Sequence, residues 1–330
     1  MNRMLYVYKS MLNKLQNDWR RHIIFLFAGL MLASLFLPRA FLTISVSGFV
    51  VISLADRNFF LYIRRFLSSP LLWGMSLLFF TPLLTGLWSN DSEKWMEMVR
   101  IKLPLLVMPL AFAGAVNLSA RQWEGLAILF VLLVIAGTIW SVFYYMQDVQ
   151  TVNEGYLKAK AMLTPLKNDR IRFSWLVAVA ILASGWLAYQ KIVKRKVAAV
   201  SLAIAAVWLV IYLHLLAVRT GLFSFYLAMV IAAVWLMIKK MNWQYGLLLL
   251  LFIFSLPVLA YLFIPTFQNR VKYIRYDAGY FQKAHYLPGG NDAVRVISLK
   301  AGWSVMLQKP LKGTGFGDVP AAVNEWYRIN

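Results

Sequence analysis

The side chains in this sequence that could do chemistry are mostly cationic. Arg219 stands between two apolar runs, in Leu216-Ala217-Val218-Arg219-Thr220-Gly221-Leu222, and no Asp or Glu occurs between Arg170 and Tyr276. A guanidinium placed in such apolar sequence is costly to desolvate, so its first reading is a group that meets an anion. Snorkelling to a polar boundary from a tight turn is the structural alternative. Arg270, Arg275, Arg295 and Lys300 continue the positive excess downstream. A guanidinium fork donates two parallel N–H groups to phosphate oxygens, so the set suits a phosphorylated substrate. Attraction to lipid headgroups is the plainer use of the same charge. Pro310-Leu311-Lys312-Gly313-Thr314-Gly315-Phe316-Gly317 follows. Gly313, Gly315 and Gly317 could let backbone amides approach a phosphate. No strand precedes them, as a dinucleotide fingerprint would need, and a surface loop is the simpler expectation.

Other chemistries find less support. Cys is absent, and the three histidines, His22, His214 and His285, are scattered. That spacing offers no metal-ligand cluster, and no cofactor is implied. Asp91 and Glu93 could face a divalent ion, but such a pair is usually a solvated loop. The chain carries 34 Lys and Arg against 13 Asp and Glu. Nucleic acid is nevertheless not an expected partner, because the basic segments alternate with long apolar ones; membrane lipids are.

Those apolar segments are the elements that must position the basic residues. Hydrophobic residues make up 61% of the 330 residues and charged ones 14%. The mean hydropathy is +0.65. A soluble domain of this size needs more polar surface than that. The expected fold class is all-α, a polytopic transmembrane helix bundle, since a helix satisfies its own backbone in lipid. About nine spans are readable, at 22–37, 40–54, 70–88, 103–116, 123–146, 173–189, 197–218, 220–238 and 246–264. Lys and Arg are enriched in alternate connections, including Arg20, Arg21, Arg64, Arg65, Arg121, Lys191 and Arg195. By the positive-inside rule these are cytoplasmic, as is the N-terminus. Residues 1–264 are then expected to form the bundle and 265–330 an outer-face segment. Within that segment, Val296, Leu299 and Trp303 recur at helical spacing after an Asn291-Asp292 start.

The order of these features resembles the O-antigen ligase family, within the superfamily that also holds O-antigen polymerases. The resemblance rests on the many apolar spans, the Arg219-Thr220-Gly221 turn, Arg295 ahead of a Trp303-containing helix, and the Pro310–Gly317 stretch. It implies transfer of a glycan from an undecaprenyl-pyrophosphate carrier to a lipid A–core hydroxyl, without ATP or metal. Arg219 and Arg295 would then hold the donor pyrophosphate, with Lys300 and Arg270 or Arg275 as additions. The implied location is the bacterial inner membrane, with the transfer on its periplasmic face. Tyr273, Tyr276, Tyr280 and Tyr286 could stack on sugars. Two positions depart from the family pattern. Val218 stands where a serine often precedes the arginine, and no histidine follows the glycine-rich stretch to act as the family's proposed base. The chain is therefore expected to continue beyond Asn330, and the general base is not named. Alternatives outside this activity are a transporter or flippase for an anionic or lipid-linked solute, and a non-catalytic scaffold.

Overall fold

A computed structural model describes residues 19–55, 59–115, 118–158, 160–166, 169–193, 195–238, 243–282 and 291–329. Among the described residues there are helices and no strand. The helix over residues 19–34, α1, is followed by α2 (Arg39–Leu54), α3 (Phe59–Ser68), α4 (Pro70–Thr85), α5 (Ser92–Lys102) and α6 (Pro104–Ala115). Next come α7 (Ala120–Gln147), α8 (Val149–Tyr156), α9 (Arg170–Lys191), α10 (Lys196–Leu216), α11 (Arg219–Ile238) and α12 (Trp243–Phe263). The last three are α13 (Pro265–Gln282), α14 (Asn291–Gln308) and α15 (Val319–Ile329).

Local chemistry sets many of these boundaries. Proline opens α4, α6 and α13, where a missing N–H costs nothing. Asp91, Asp148 and Asp169 cap α5, α8 and α9, each carboxylate accepting the backbone N–H three residues on. Asp91 and Glu93 thus sit at a helix start, with Asp91 also paired to Lys94 at 2.8 Å.

Four helical stretches are long and apolar enough to cross a membrane: Ala120–Gln147, Arg170–Lys191, Lys196–Leu216 and Gly246–Phe263. They match four of the spans read from hydropathy. The pair α2 and α3, bent by 105°, makes a fifth candidate if taken as one broken span. The other expected spans correspond to shorter helices. The stretch expected at 103–116 is α6, 12 residues and about 18 Å long, against a hydrocarbon core of roughly 30 Å. The stretch expected at 70–88 is α4, whose 16 residues span about 24 Å. Exposed faces are as apolar as buried ones: Leu248, Leu251, Phe254, Val258 and Leu262 all face outward on α12. Such a surface suits lipid rather than water.

The chain divides into two compact units that interleave along the sequence. One comprises the described residues within 32–39 and 123–291. In it α9 packs along α10 and against α11, and α11 packs on α12. Val134, Phe173, Val177, Leu209 and Leu213 are fully buried at its centre. Hydroxyls join the helices where lipid offers no partner. Tyr212 donates to Ser141 at 2.8 Å, Ser141 donates to the Leu163 carbonyl, and Trp208 Nε1 donates to Thr138 at 2.9 Å. His214 is also consumed structurally. With Nδ1–H donating to the Val210 carbonyl at 2.8 Å, Nε2 is left to accept the Tyr226 hydroxyl at 2.6 Å.

The other unit holds the described residues within 1–31, 40–122 and 292–330. Here α4 packs on α6 and α5, and α3 packs on both α6 and α4. Arg20 closes α2: its guanidinium donates to the Ile52 carbonyl at 2.9 Å and the Ser53 carbonyl at 2.7 Å. A cation at a helix C-terminus satisfies orphan carbonyls and the dipole together. Gly114 lets α6 approach this end, since a Cβ there would lie 2.9 Å from the Ser53 oxygen.

Candidate anion-binding site

Arg219 is the first residue of α11, and the turn before it is built from long-range contacts. Ala217 takes the left-handed conformation (φ 48°) that ends α10, costly for a residue with a Cβ. Helix α10 leaves its last carbonyls without intrahelical donors. The Tyr156 hydroxyl donates to the Leu216 carbonyl at 3.0 Å, and Thr266 donates to the Leu215 carbonyl at 2.6 Å. On the far side of the turn, a Cβ on Gly221 would stand 2.4 Å from the Ser174 Cβ. Glycine there brings the start of α11 against α9. The Arg219-Thr220-Gly221 sequence is therefore a packed joint, with its arginine half-buried.

Arg270 comes to the same end of these helices from α13. It is 9% exposed. One terminal nitrogen donates to the Lys160 carbonyl at 2.8 Å, and the guanidinium carbon lies 4.9 Å from the centre of the Tyr156 ring. Tyr156 is the common support. Its hydroxyl accepts the Met162 N–H at 3.3 Å while donating to Leu216. Burial pushes its pKa up to about 12. The connection entering α9 is thus held under α13 by Arg270. Asn269 extends the docking by donating to the Asn153 carbonyl at 2.9 Å.

Arg170, at the start of α9, joins Arg219 beside Arg270. Burial is the main cause lowering the Arg270 pKa below the usual arginine value, and the charges of Arg170 and Arg219 push it the same way. Arginine remains charged through such a shift. Three buried polar atoms nearby in the fold lack a hydrogen-bond partner: Arg270 Nε, the Tyr273 hydroxyl and Thr164 Oγ1. Tyr273 stands one turn along α13, its ring 5.9 Å from the Arg270 guanidinium carbon. Thr164 lies on the same loop as Met162. A buried guanidinium with an unused donor is a group that an oxyanion can satisfy.

The remaining sequence candidates are distributed elsewhere. Arg275 is exposed on α13, and Tyr276 is exposed beside it. The Tyr280 side chain and Tyr286, like His285, lie outside the described residues. Arg295 and Lys300 are exposed on α14, which falls in the other unit from Asp292 onward.

The glycine stretch also belongs to that other unit, and packing occupies two of its glycines. Gly315 (φ 89°) lies where a Cβ would be 3.1 Å from Ser89, and a Cβ on Gly317 would be 2.3 Å from the Asp91 oxygen. Gly313 (φ 69°) has open space around it. Asp318 fixes the loop, its carboxylate accepting the backbone N–H groups of Asn90 at 2.8 Å and Asp91 at 2.9 Å. Lys102 lies over the Phe316 ring at 5.3 Å. The sequence did not mark Asp318, Tyr156 or Thr164 as site residues. Arg170 carried a signal only as a cation at the mouth of a span.

No protein-family model, curated protein sequence or solved structure matches the chain.

Proposed function

We propose that this chain is a membrane glycosyltransferase of the O-antigen ligase type. It would move a glycan from an undecaprenyl-pyrophosphate carrier to a lipid A–core hydroxyl at the outer face of the bacterial inner membrane. The observation that carries this reading is the buried Arg270, whose Nε lacks a hydrogen-bond partner and on which the charges of Arg170 and Arg219 act. A pyrophosphate supplies an acceptor oxygen for Arg270 Nε and negative charge that complements a guanidinium. The order of sequence features that resembles the ligase family supplies the reaction.

In that reaction the acceptor hydroxyl oxygen bonds to the anomeric carbon of the glycan. The bond from that carbon to the carrier phosphate breaks, and the electron pair leaves with undecaprenyl pyrophosphate. Charge therefore grows on the pyrophosphate, where the guanidinium groups stabilise it. Arg219, set on its packed turn, and Arg270, held by Lys160 and Tyr156, are the side chains we assign to this task. The hydroxyl proton goes to a base that these residues do not supply. With the nine spans and the cytoplasmic N-terminus that the charge pattern implies, the Arg219 end of α11 would face outward.

The test is transfer in vitro by the purified full chain with a lipid-linked pyrophosphate donor. Arg219→Lys retains charge but not the fork, and Arg219→Ala retains neither. Both are expected to lower the rate, the alanine variant about hundredfold or more. Transfer should persist in a chelator and without ATP. Full activity of Arg219→Ala would refute the pyrophosphate assignment.

A further inference from the structure

We propose that α3 is an interfacial helix that binds anionic phospholipid headgroups at the cytoplasmic face of the membrane. It rests on the proposed topology but not on the glycan transfer. A bend of 105° separates α3 from α2, so the two helices cannot both run along the membrane normal. If α2 crosses, α3 lies close to the membrane plane.

Its ten residues suit that plane. Tyr62 is buried, 2% exposed, and its ring lies 5.9 Å from the Arg20 guanidinium carbon. This contact, with the packing on α4 and α6, holds one face of α3 against protein. Phe60, Arg64 and Leu67 recur at the spacing of one helix flank, four and then three residues apart. Phe60 is 82% exposed and Leu67 63% exposed, and Arg64 between them is exposed too. Arg65 is likewise exposed, and neither arginine makes an ion pair among the described residues. The helix contains no carboxylate, and Asp56 and Arg57, which precede it, cancel in charge. A large apolar side chain on each side of a guanidinium matches the boundary between acyl chains and phosphates. Positive charge selects anionic over zwitterionic headgroups.

The experiment titrates the full chain in a nonionic detergent with phosphatidylglycerol or phosphatidylcholine, and counts retained lipid by native mass spectrometry. The wild type is expected to retain phosphatidylglycerol in preference. Arg64→Gln with Arg65→Gln is expected to weaken that retention by about 25-fold, roughly fivefold per arginine. Phosphatidylcholine retention should be unchanged, and Arg64→Lys with Arg65→Lys should keep most of the preference. Because both side chains are exposed, the melting temperature in detergent should not move. Should the glutamine pair not fold, Phe60→Ser serves alone and must lower retention of both lipids. Equal retention of the two lipids by the wild type would overturn the proposal. So would an undiminished preference in the glutamine pair, or self-association that buries α3 against a second copy. None of these outcomes bears on transfer activity.

Discussion

Tyr156 does more than any other single side chain to hold the candidate site together. Its hydroxyl joins the 160–164 loop to the end of α10, and its ring lies under Arg270. Tyr156→Phe keeps the ring and leaves a buried amide and a carbonyl without partners. Chemical denaturation in detergent should show a loss of about 1–3 kcal/mol. The same hydroxyl gives an alkaline signature. A tyrosine held at about 12 in the fold and near 10 when unfolded contributes stability that is complete below pH 10. That contribution falls away as the pH rises from about 10 to about 12. Melting curves of the wild type should show this decline, and the Phe variant should show a smaller one. Tyr156 was illegible in the sequence because nothing in a polar connection marks which hydroxyl will be buried. Arg219 was legible for the opposite reason, since a charge flanked by apolar residues stands out in any window. Arg270 was legible only as one of several basic residues downstream, and its burial is what sets it apart.

Helix periodicity reveals elements but not the joints between them. Helices α7, α9, α10 and α12 were readable because each is a long apolar run, and lipid leaves such a run no alternative to a helix. The 105° turn after α2 was not, because Arg20 closes α2 by bonding from residues more than 30 positions earlier. Gly221 shows the same limit. Its sequence context reads as a turn, while its cause is the Ser174 side chain on α9. Gly221→Ala should separate α11 from α9 and cost about 1–3 kcal/mol, measurable as a lower melting temperature. The Pro310–Gly317 loop is tied down by Asp318, whose partners lie 228 and 227 positions away. Asp318→Ala should release that loop, seen as faster hydrogen exchange at Asn90 and Asp91. Capping by Asp91 itself should survive acid below the ordinary carboxylate range, because Lys94 lowers its pKa. The stability it gives is present above that range and is lost only as the pH falls through the lowered value.

At the scale of the whole molecule, composition carried the membrane assignment, and the outward apolar faces of α12 and its neighbours agree with it. Hydropathy could not separate a full span from a helix of 12 or 16 residues in an equally apolar run, as α6 and α4 illustrate. The activity is a further step, resting on the arginine cluster and on the family that the sequence resembles. It is best tested in a strain deleted for this gene and complemented with the full-length product. Surface polysaccharide from wild type, Arg219→Ala and Arg295→Ala is separated on a gel, alongside membrane levels of each protein. The wild type is expected to restore the high-molecular-weight ladder. Both variants should reach the membrane at normal levels and accumulate carrier-linked glycan. Glycan-free core in the deletion strain would identify a ligase, and core bearing single repeat units a polymerase. A ladder unchanged by the deletion, or restored in full by Arg219→Ala, would contradict the assignment of this chain to lipid-linked glycan transfer.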